Sequence, residues 1–259
     1  MKISPHNEGV FAMTTMNELF LKSKDGERIA VNHYDQKRNS VIIICHGWSM
    51  CKDSKVFKGL SEDFFKHHDI ITLDFRGHGQ SSGSFTFTAK EPQDLEAVVA
   101  FARTRYAKVY LMGFSLGSAI SIIHAASHKD VESVIAVSAP VSFEKIENEF
   151  YRKEAFIPSI KKFELWRSFT IRPGNLFLPK TNPIDVVNEI EDIPILFISG
   201  GKDRTIHAWH GDALNEKASS TSEHILFEDD FHAEDLYLSS PRRFIETCIQ
   251  WISKHDNVS

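Results

Sequence analysis

The 259-residue chain reads as one mostly parallel α/β domain, and three observations carry that reading. From Ser40 onward, apolar strand-like runs alternate with segments of helical spacing; several runs are continuously apolar; and the rhythm breaks once, between Val141 and Val187. At 42% hydrophobic and 25% charged residues, a chain of this length holds enough apolar material for a full core.

The elements follow in order. "NELFLKS" and "ERIAVNHYD" are strand-like and are separated by "KDG", a hairpin turning through Lys24, Asp25 and Gly26. "SVIIICHG" is a continuous β-branched run, as expected of a strand covered on both faces. "SKVFKGLSEDFFKHH" sets Val56, Phe57, Leu60, Phe64 and Phe65 at helical spacing, and "DIITLDFRGHG" begins as the next strand. "EPQDLEAVVAFARTRY" is a helix with Pro92 in its first turn, followed by the strand "KVYLMGFS", the small-residue helix "LGSAISIIHAASH" and the strand "VESVIAVSAP". Later come the strand "IPILFISGGKD", a helix around Ala208 to Ala218, the strand "SEHILFEDD" and an amphipathic helix from Pro241 to His255. Eight strands result, joined mainly by right-handed crossovers that place helices on both faces of the sheet.

The interruption is rich in rings: Phe143, Phe150, Tyr151, Phe156, Phe163, Trp166, Phe169 and Phe177 stand among many charges. Such a pattern predicts short amphipathic helices forming an inserted cap. The expected organisation is an N-terminal extension over 1–18, a core over 19–140 and 188–259, and a cap over 141–187.

Composition excludes several functions. The formal net charge is -5 and no lysine/arginine run occurs, so nucleic acid is not an expected partner. Cys45, Cys51 and Cys248 form no C-x-x-C pair, and Cys45 lies in an apolar run as a small core residue, which fits a reducing compartment. Pro5, His6, Asn7 and Glu8 stand where a signal peptide needs its apolar segment, and no stretch of eighteen apolar residues occurs. The expectation is a soluble cytoplasmic protein without a membrane segment, with a homodimer left open. No H-E-x-x-H or comparable spacing is present, so neither a metal nor a cofactor is expected.

The chemistry centres on "LMGFSLGSA", where Ser115 stands between Gly113 and Gly117 at a predicted strand-to-helix junction. A turn that tight strains the serine backbone and crowds its neighbours, so the positions two before and two after must lack bulk. A hydroxyl is a weak nucleophile and needs a base oriented by a carboxylate. Among thirteen histidines, His232 in "EDDFHAEDL" is the one placed after the last strand, at the sheet edge that carries Ser115; His67, His68 and His255 read as solvated, and His224 falls in or beside a strand. Asp203 in "FISGGKDRTI" follows the preceding strand at the same edge, with two glycines that would let the chain turn sharply; Asp229, Asp230 and Asp235 read as solvated loop charge.

Together, "CHGWS", "DFRGHGQSSG", "GFSLGS", "GGKD" and "FHAED" resemble the α/β-hydrolase superfamily, specifically its small capped serine esterase, lysophospholipase and acyl-aminopeptidase-like group. The motifs occur in family order over roughly Leu19 to Trp251. The resemblance implies the α/β-hydrolase fold and a triad of Ser115, Asp203 and His232, in the chain order nucleophile, acid, base. It assigns "HGWS" to the loop giving half of an oxyanion hole, whose two donors would be the Trp48 and Leu116 backbone N–H groups. His46 reads as a structural hydrogen-bonding residue, and Arg76 and His78 as scaffold.

The function expected is hydrolysis of small-molecule carboxylic esters, with aromatic, cinnamoyl-type, feruloyl or short-chain acyl groups held against Trp48, Phe143, Phe150 and Trp166. An aminopeptidase or amidase would need cap carboxylates for an amino group, and Glu144, Glu147, Glu149 and Glu154 are the candidates, although they read rather as a solvated helix face. A thioesterase or acyltransferase relative can use the same triad. A binding protein that kept the fold without the reaction is the alternative of another class.

Overall fold

A computed structural model describes residues 16–147, 149 and 171–256. One eight-stranded sheet runs in the order β1-β2-β4-β3-β5-β6-β7-β8. Its strands are β1 (Met16–Lys22), β2 (Arg28–Tyr34), β3 (Ser40–Cys45), β4 (Asp69–Leu73), β5 (Lys108–Phe114), β6 (Ser133–Val137), β7 (Ile195–Gly200) and β8 (Glu223–Phe227). β2 pairs antiparallel with β1 and β4, and every other neighbouring pair is parallel. The first strand begins at Met16, so Met16 to Glu18 belong to the sheet and not to the expected extension. Residues 1–15 lie outside the described part.

The helices are α1 (Lys55–Phe64), α2 (Pro92–Arg103), α3 (Leu116–His128), α4 (Pro183–Val186), α5 (Trp209–Lys217), α6 (Asp235–Ser239) and α7 (Pro241–His255). Proline opens α2, α4 and α7, where a missing N–H leaves no helical bond unmade. The continuous apolar strands are explained by two cores. On one face Val41, Ile43 and Cys45 of β3 pack with Leu95, Val98 and Val99 of α2 and with Ile120 of α3. On the other, Ile42 and Ile44 meet Val56, Phe57, Leu60 and Phe64 of α1 and Phe244, Cys248 and Trp251 of α7. Alternate residues of one strand thus serve opposite layers, and both must be apolar. Cys45, Cys51 and Cys248 are buried and none is in a disulfide.

Of the insertion, the described residues include a short 3-10 turn at Phe143–Lys145 and the returning limb from 171 onward. That limb is pinned to the loop after β4: Arg172 N–H donates to Gly77 O (2.8 Å), Phe85 N–H to Arg172 O (2.7 Å) and Gly174 N–H to Phe85 O (2.7 Å). Among the described residues, no helix is long and apolar enough to cross a membrane.

Because β3, β5, β6, β7 and β8 run parallel, the segments that follow them emerge at one edge of the sheet. Residues 46–50, Ser115, Ser138, 201–207 and 228–234 therefore gather there, which is where open α/β sheets place their sites.

Candidate active site

Ser115 joins β5 to α3 at φ 51° and ψ -111°, a conformation that side-chain-bearing residues rarely adopt. Its N–H donates to Val137 O (2.8 Å), which ties the junction to β6. The strain falls on the serine, while the flanking glycines answer to crowding. A Cβ on Gly113 would stand 2.5 Å from Gly117 C and Ser118 N. One on Gly117 would overlap the Cys45 carbonyl oxygen, 2.7 Å from Cys45 C and 2.8 Å from His46 O. Ser118 locks the turn further, its hydroxyl donating toward Gly113 O (2.6 Å) and Val137 O (2.7 Å).

Asp203 is buried, and its Oδ2 lies 2.7 Å from His232 Nδ1. Its Oδ1 accepts from the Thr205 and Ile206 N–H groups (2.8 and 2.9 Å). Burial alone would raise this carboxyl, but the charge and hydrogen bond of His232 and the two amides outweigh it and hold the pKa below the ordinary value. The carboxylate is thus fixed at both oxygens.

The chain turns sharply before Asp203 as expected, closed by Asp203 N–H to Gly200 O (3.2 Å), but neither glycine has a positive φ, so the turn itself does not require them. A Cβ on Gly200 would lie 2.6 Å from Asp230 O, and one on Gly201 2.9 Å from Glu228 C. They lack side chains because the backbone of the His232 loop rests directly on them. Asp230 is also unlike the solvated charge expected, being buried and hydrogen-bonded to the Ser239 hydroxyl. His68 is likewise not simply solvated: it is half-buried, with Nδ1 2.8 Å from Ser40 Oγ.

Trp48 follows β3 in a turn closed by Met50 N–H to Gly47 O (3.3 Å), with its side chain half exposed. A Cβ on Gly47 would lie 3.5 Å from Ser115 Cβ, which sets this loop beside the serine. Leu116 is the first residue of α3, so its N–H has no acceptor within the helix. Glu234, passed over in the sequence except as part of "FHAED", brings Oε1 to 3.2 Å from the same Cβ position on Gly47. The structure thus gathers Ser115, Asp203, His232, Trp48, Leu116, Gly113 and Gly117 at one edge. Phe143 is partly buried against the core and meets Phe87 at 5.0 Å between ring centroids, while Phe150 and Trp166 lie outside the described residues.

The loop from Asp74 to Gly83 is held by bonds to the hairpin turn before β2 and to α2 as well as within itself. Arg76 is buried between Asp94 (2.7 Å) and Asp25 (2.7 Å), and His78 Nδ1 lies 3.1 Å from Arg76 O. His46 accepts from Phe75 N–H at Nε2 (3.1 Å), which places its proton on Nδ1, 2.7 Å from Gly47 O. Burial, then the neighbouring His78, push His46 down to about 3, against a smaller opposing effect of the Gly47 carbonyl. The folded state consequently binds fewer protons here than the unfolded chain between pH 3 and 6.5, so stability is lost as pH falls through that window. Replacing His46 with Gln, which can still accept from Phe75, should remove up to about 1.4 kcal/mol per pH unit of acid sensitivity. Urea melts of both proteins from pH 7 to 5 would measure it, and parallel curves would refute it.

Glu147 departs from the solvated face expected of it. Its carboxylate accepts from Trp209 Nε1 (2.6 Å), His207 N–H (3.2 Å) and His210 Nε2 (3.1 Å). His210 Nδ1 in turn accepts from Val141 N–H (3.0 Å), and Glu149 N–H donates to Arg204 O (2.9 Å). The first residues of the insertion are therefore tied to the segment that follows Asp203. Among the described residues, no group of three or more His, Cys, Asp or Glu is arranged to hold a metal ion.

The chain matches a family model described as the alpha/beta hydrolase fold over residues 40–158. It is 29% identical over 107 residues to a pimeloyl-[acyl-carrier protein] methyl ester esterase of Xylella fastidiosa, a match covering 41% of this chain and 39% of that protein. The aligned part thus spans about two fifths of the curated relatives' length. An esterase of Pyrococcus furiosus superposes with a TM-score of 0.77 at 18% identity, covering 97% of this chain and 98% of that one. An esterase from Rhodococcus sp. ECU1013 gives 0.76 at 19%, covering 93% and 100%. At these identities the structural likeness speaks for the fold.

Proposed function

The chain is an α/β-hydrolase-fold protein, and on that premise we propose that it is a serine hydrolase of carboxylic esters acting through Ser115. The observation that carries the reading is the strained Ser115 at the sheet edge that also bears the 2.7 Å Asp203–His232 pair. His232 Nε2 takes the hydroxyl proton as Ser115 Oγ bonds to the acyl carbon. The carbonyl electron pair moves to oxygen, where the Leu116 and Trp48 N–H groups would stabilise it. Collapse of that intermediate breaks the ester C–O bond, and His232 returns the proton to the departing alcohol. Water then repeats the sequence on the acyl-enzyme and frees the acid. Asp203 stays ionised throughout, holding Nδ1–H and leaving Nε2 as the acceptor.

Labelling by a fluorophosphonate probe tests the reading: an adduct on the wild type that is absent from Ser115→Ala supports it, and an unlabelled wild type refutes it. Substrate choice rests on Trp48 and Phe143, which favour short or aromatic acyl groups. A panel of p-nitrophenyl and methyl esters graded by acyl length and aromaticity, including a pimeloyl methyl ester in view of the Xylella relative's name, would rank them. An aminopeptidase reading loses one of its four candidate carboxylates, because three donors already occupy Glu147.

Asp203→Asn should lower kcat by roughly 10⁴-fold while the protein stays folded. Two backbone N–H groups face Oδ1, so the asparagine amide must turn its NH₂ to the Oδ2 position. That group donates to His232 Nδ1, forcing the ring proton onto Nε2, where it can no longer accept from Ser115. A kcat within tenfold of wild type on p-nitrophenyl acetate would contradict this.

A further inference from the structure

At the sheet edge that forms the site, the described non-glycines with positive φ include Ser115 (51°), Ser138 (49°) and Ala233 (51°). Ser115 is accounted for by its role as nucleophile. Ser138, the residue after β6, is 1% exposed and has no part in the reaction as written. Its N–H donates to Ile198 O of β7 (2.8 Å), and the carbonyl just before it, Val137 O, accepts the Ser115 N–H (2.8 Å). Its hydroxyl oxygen accepts the N–H of Ala233 (3.0 Å), the residue following His232. One buried residue thus connects the nucleophile's strand neighbour to the loop of the base. Resting on the serine-hydrolase reading, we propose that Ser138 is a positioning residue for His232, its Oγ clamping the adjoining amide so that the imidazole is aimed along the line from Asp203 to Ser115.

The backbone conformation supports this choice of residue. A glycine would adopt φ 49° without strain but would offer no acceptor, and an alanine would carry the strain without the hydroxyl. Serine supplies the acceptor at the expense of local strain. Ala233 has its own positive φ, which reverses the chain immediately after His232 and turns its N–H back toward β6. The base is then held on two sides, by Asp203 at Nδ1 and by Ser138 through the backbone. The bulkless Gly200 and Gly201 beneath the same loop allow it to approach that closely.

Two substitutions separate positioning from general support. Ser138→Ala keeps the Cβ and the strain and removes the acceptor; Ser138→Gly removes both. Both should lower kcat on p-nitrophenyl acetate at least tenfold with KM within twofold, while Ser138→Gly melts higher than Ser138→Ala. The downfield Nδ1–H proton resonance of His232, sharp when the Asp203 bond is fixed, should broaden in both. A kcat within twofold of wild type with an unchanged resonance overturns the proposal, as does a kcat loss that merely follows the order of melting temperatures. A wild type inert to esters and to fluorophosphonate overturns the hydrolase reading instead, and the His232 resonance still reports whether Ser138 positions that ring.

Discussion

Ser115→Ala is expected to lower kcat/KM on p-nitrophenyl acetate by about 10⁵-fold or more and to abolish fluorophosphonate labelling, with little change in stability. In the proposed mechanism the size follows from dependence on one bond: without Oγ no acyl-enzyme would form, and the remaining groups could only bind and polarise the ester. The stability expectation follows from the backbone. Alanine keeps a Cβ at φ 51° and ψ -111°, so the strain of the native turn is retained. Ser115→Gly should be equally inactive but more stable by about 1 kcal/mol, because glycine relieves a strain of about 1–3 kcal/mol and loses part of that to backbone entropy. Urea unfolding of the three proteins would separate the two effects. Residual turnover by Ser115→Ala above a tenth of wild type would mean that another group is the nucleophile.

The strands and most element boundaries were legible because parallel strands buried on both faces leave unbroken apolar runs. Ile42, Ile43 and Ile44 cannot all be inside unless two layers cover the strand. Helix α7 was readable to its ends because Pro241 marks its first turn and Phe244, Cys248, Trp251 and Ile252 recur on one face. Asp203 and His232 could be nominated because each follows a parallel strand, so topology alone sends both loops to the edge of Ser115. What was not legible depends on contacts between distant segments. Glu147 meets Trp209 across 62 positions, and Ser138 meets Ala233 across 95. No local pattern distinguishes either from a solvated glutamate or a strand-end serine. Gly200 and Gly201 show the same limit: their presence was plain, but their reason lies in a loop almost thirty residues later.

Gly117→Ala should have the largest effect on folding. The added Cβ would overlap Cys45 O and come within 2.7 Å of Cys45 C and 2.8 Å of His46 O, all backbone atoms with no rotamer to yield. Relief requires the start of α3 to move away from the end of β3, and that helix carries Leu116 and Ile120 into the core shared with β3 and β5. The displacement opens well-packed apolar contacts, for a loss of about 3–5 kcal/mol and a fall in Tm of roughly 8–15 °C. Any folded fraction should also be catalytically weak, because the same movement would separate the Leu116 N–H from the Trp48 N–H, the two donors of the proposed oxyanion hole. Gly59→Ala is the control. That glycine lies inside α1, and its Cβ would first meet the Tyr237 hydroxyl at 3.3 Å, the far end of a side chain. Alanine's helical preference should leave this variant neutral or slightly stabilised. Thermal melts of the pair therefore ask whether glycine matters here through helix propensity or through backbone contact. A Gly117→Ala protein melting within about 2 °C of wild type would show that the junction between β3, β5 and α3 is looser than its geometry implies.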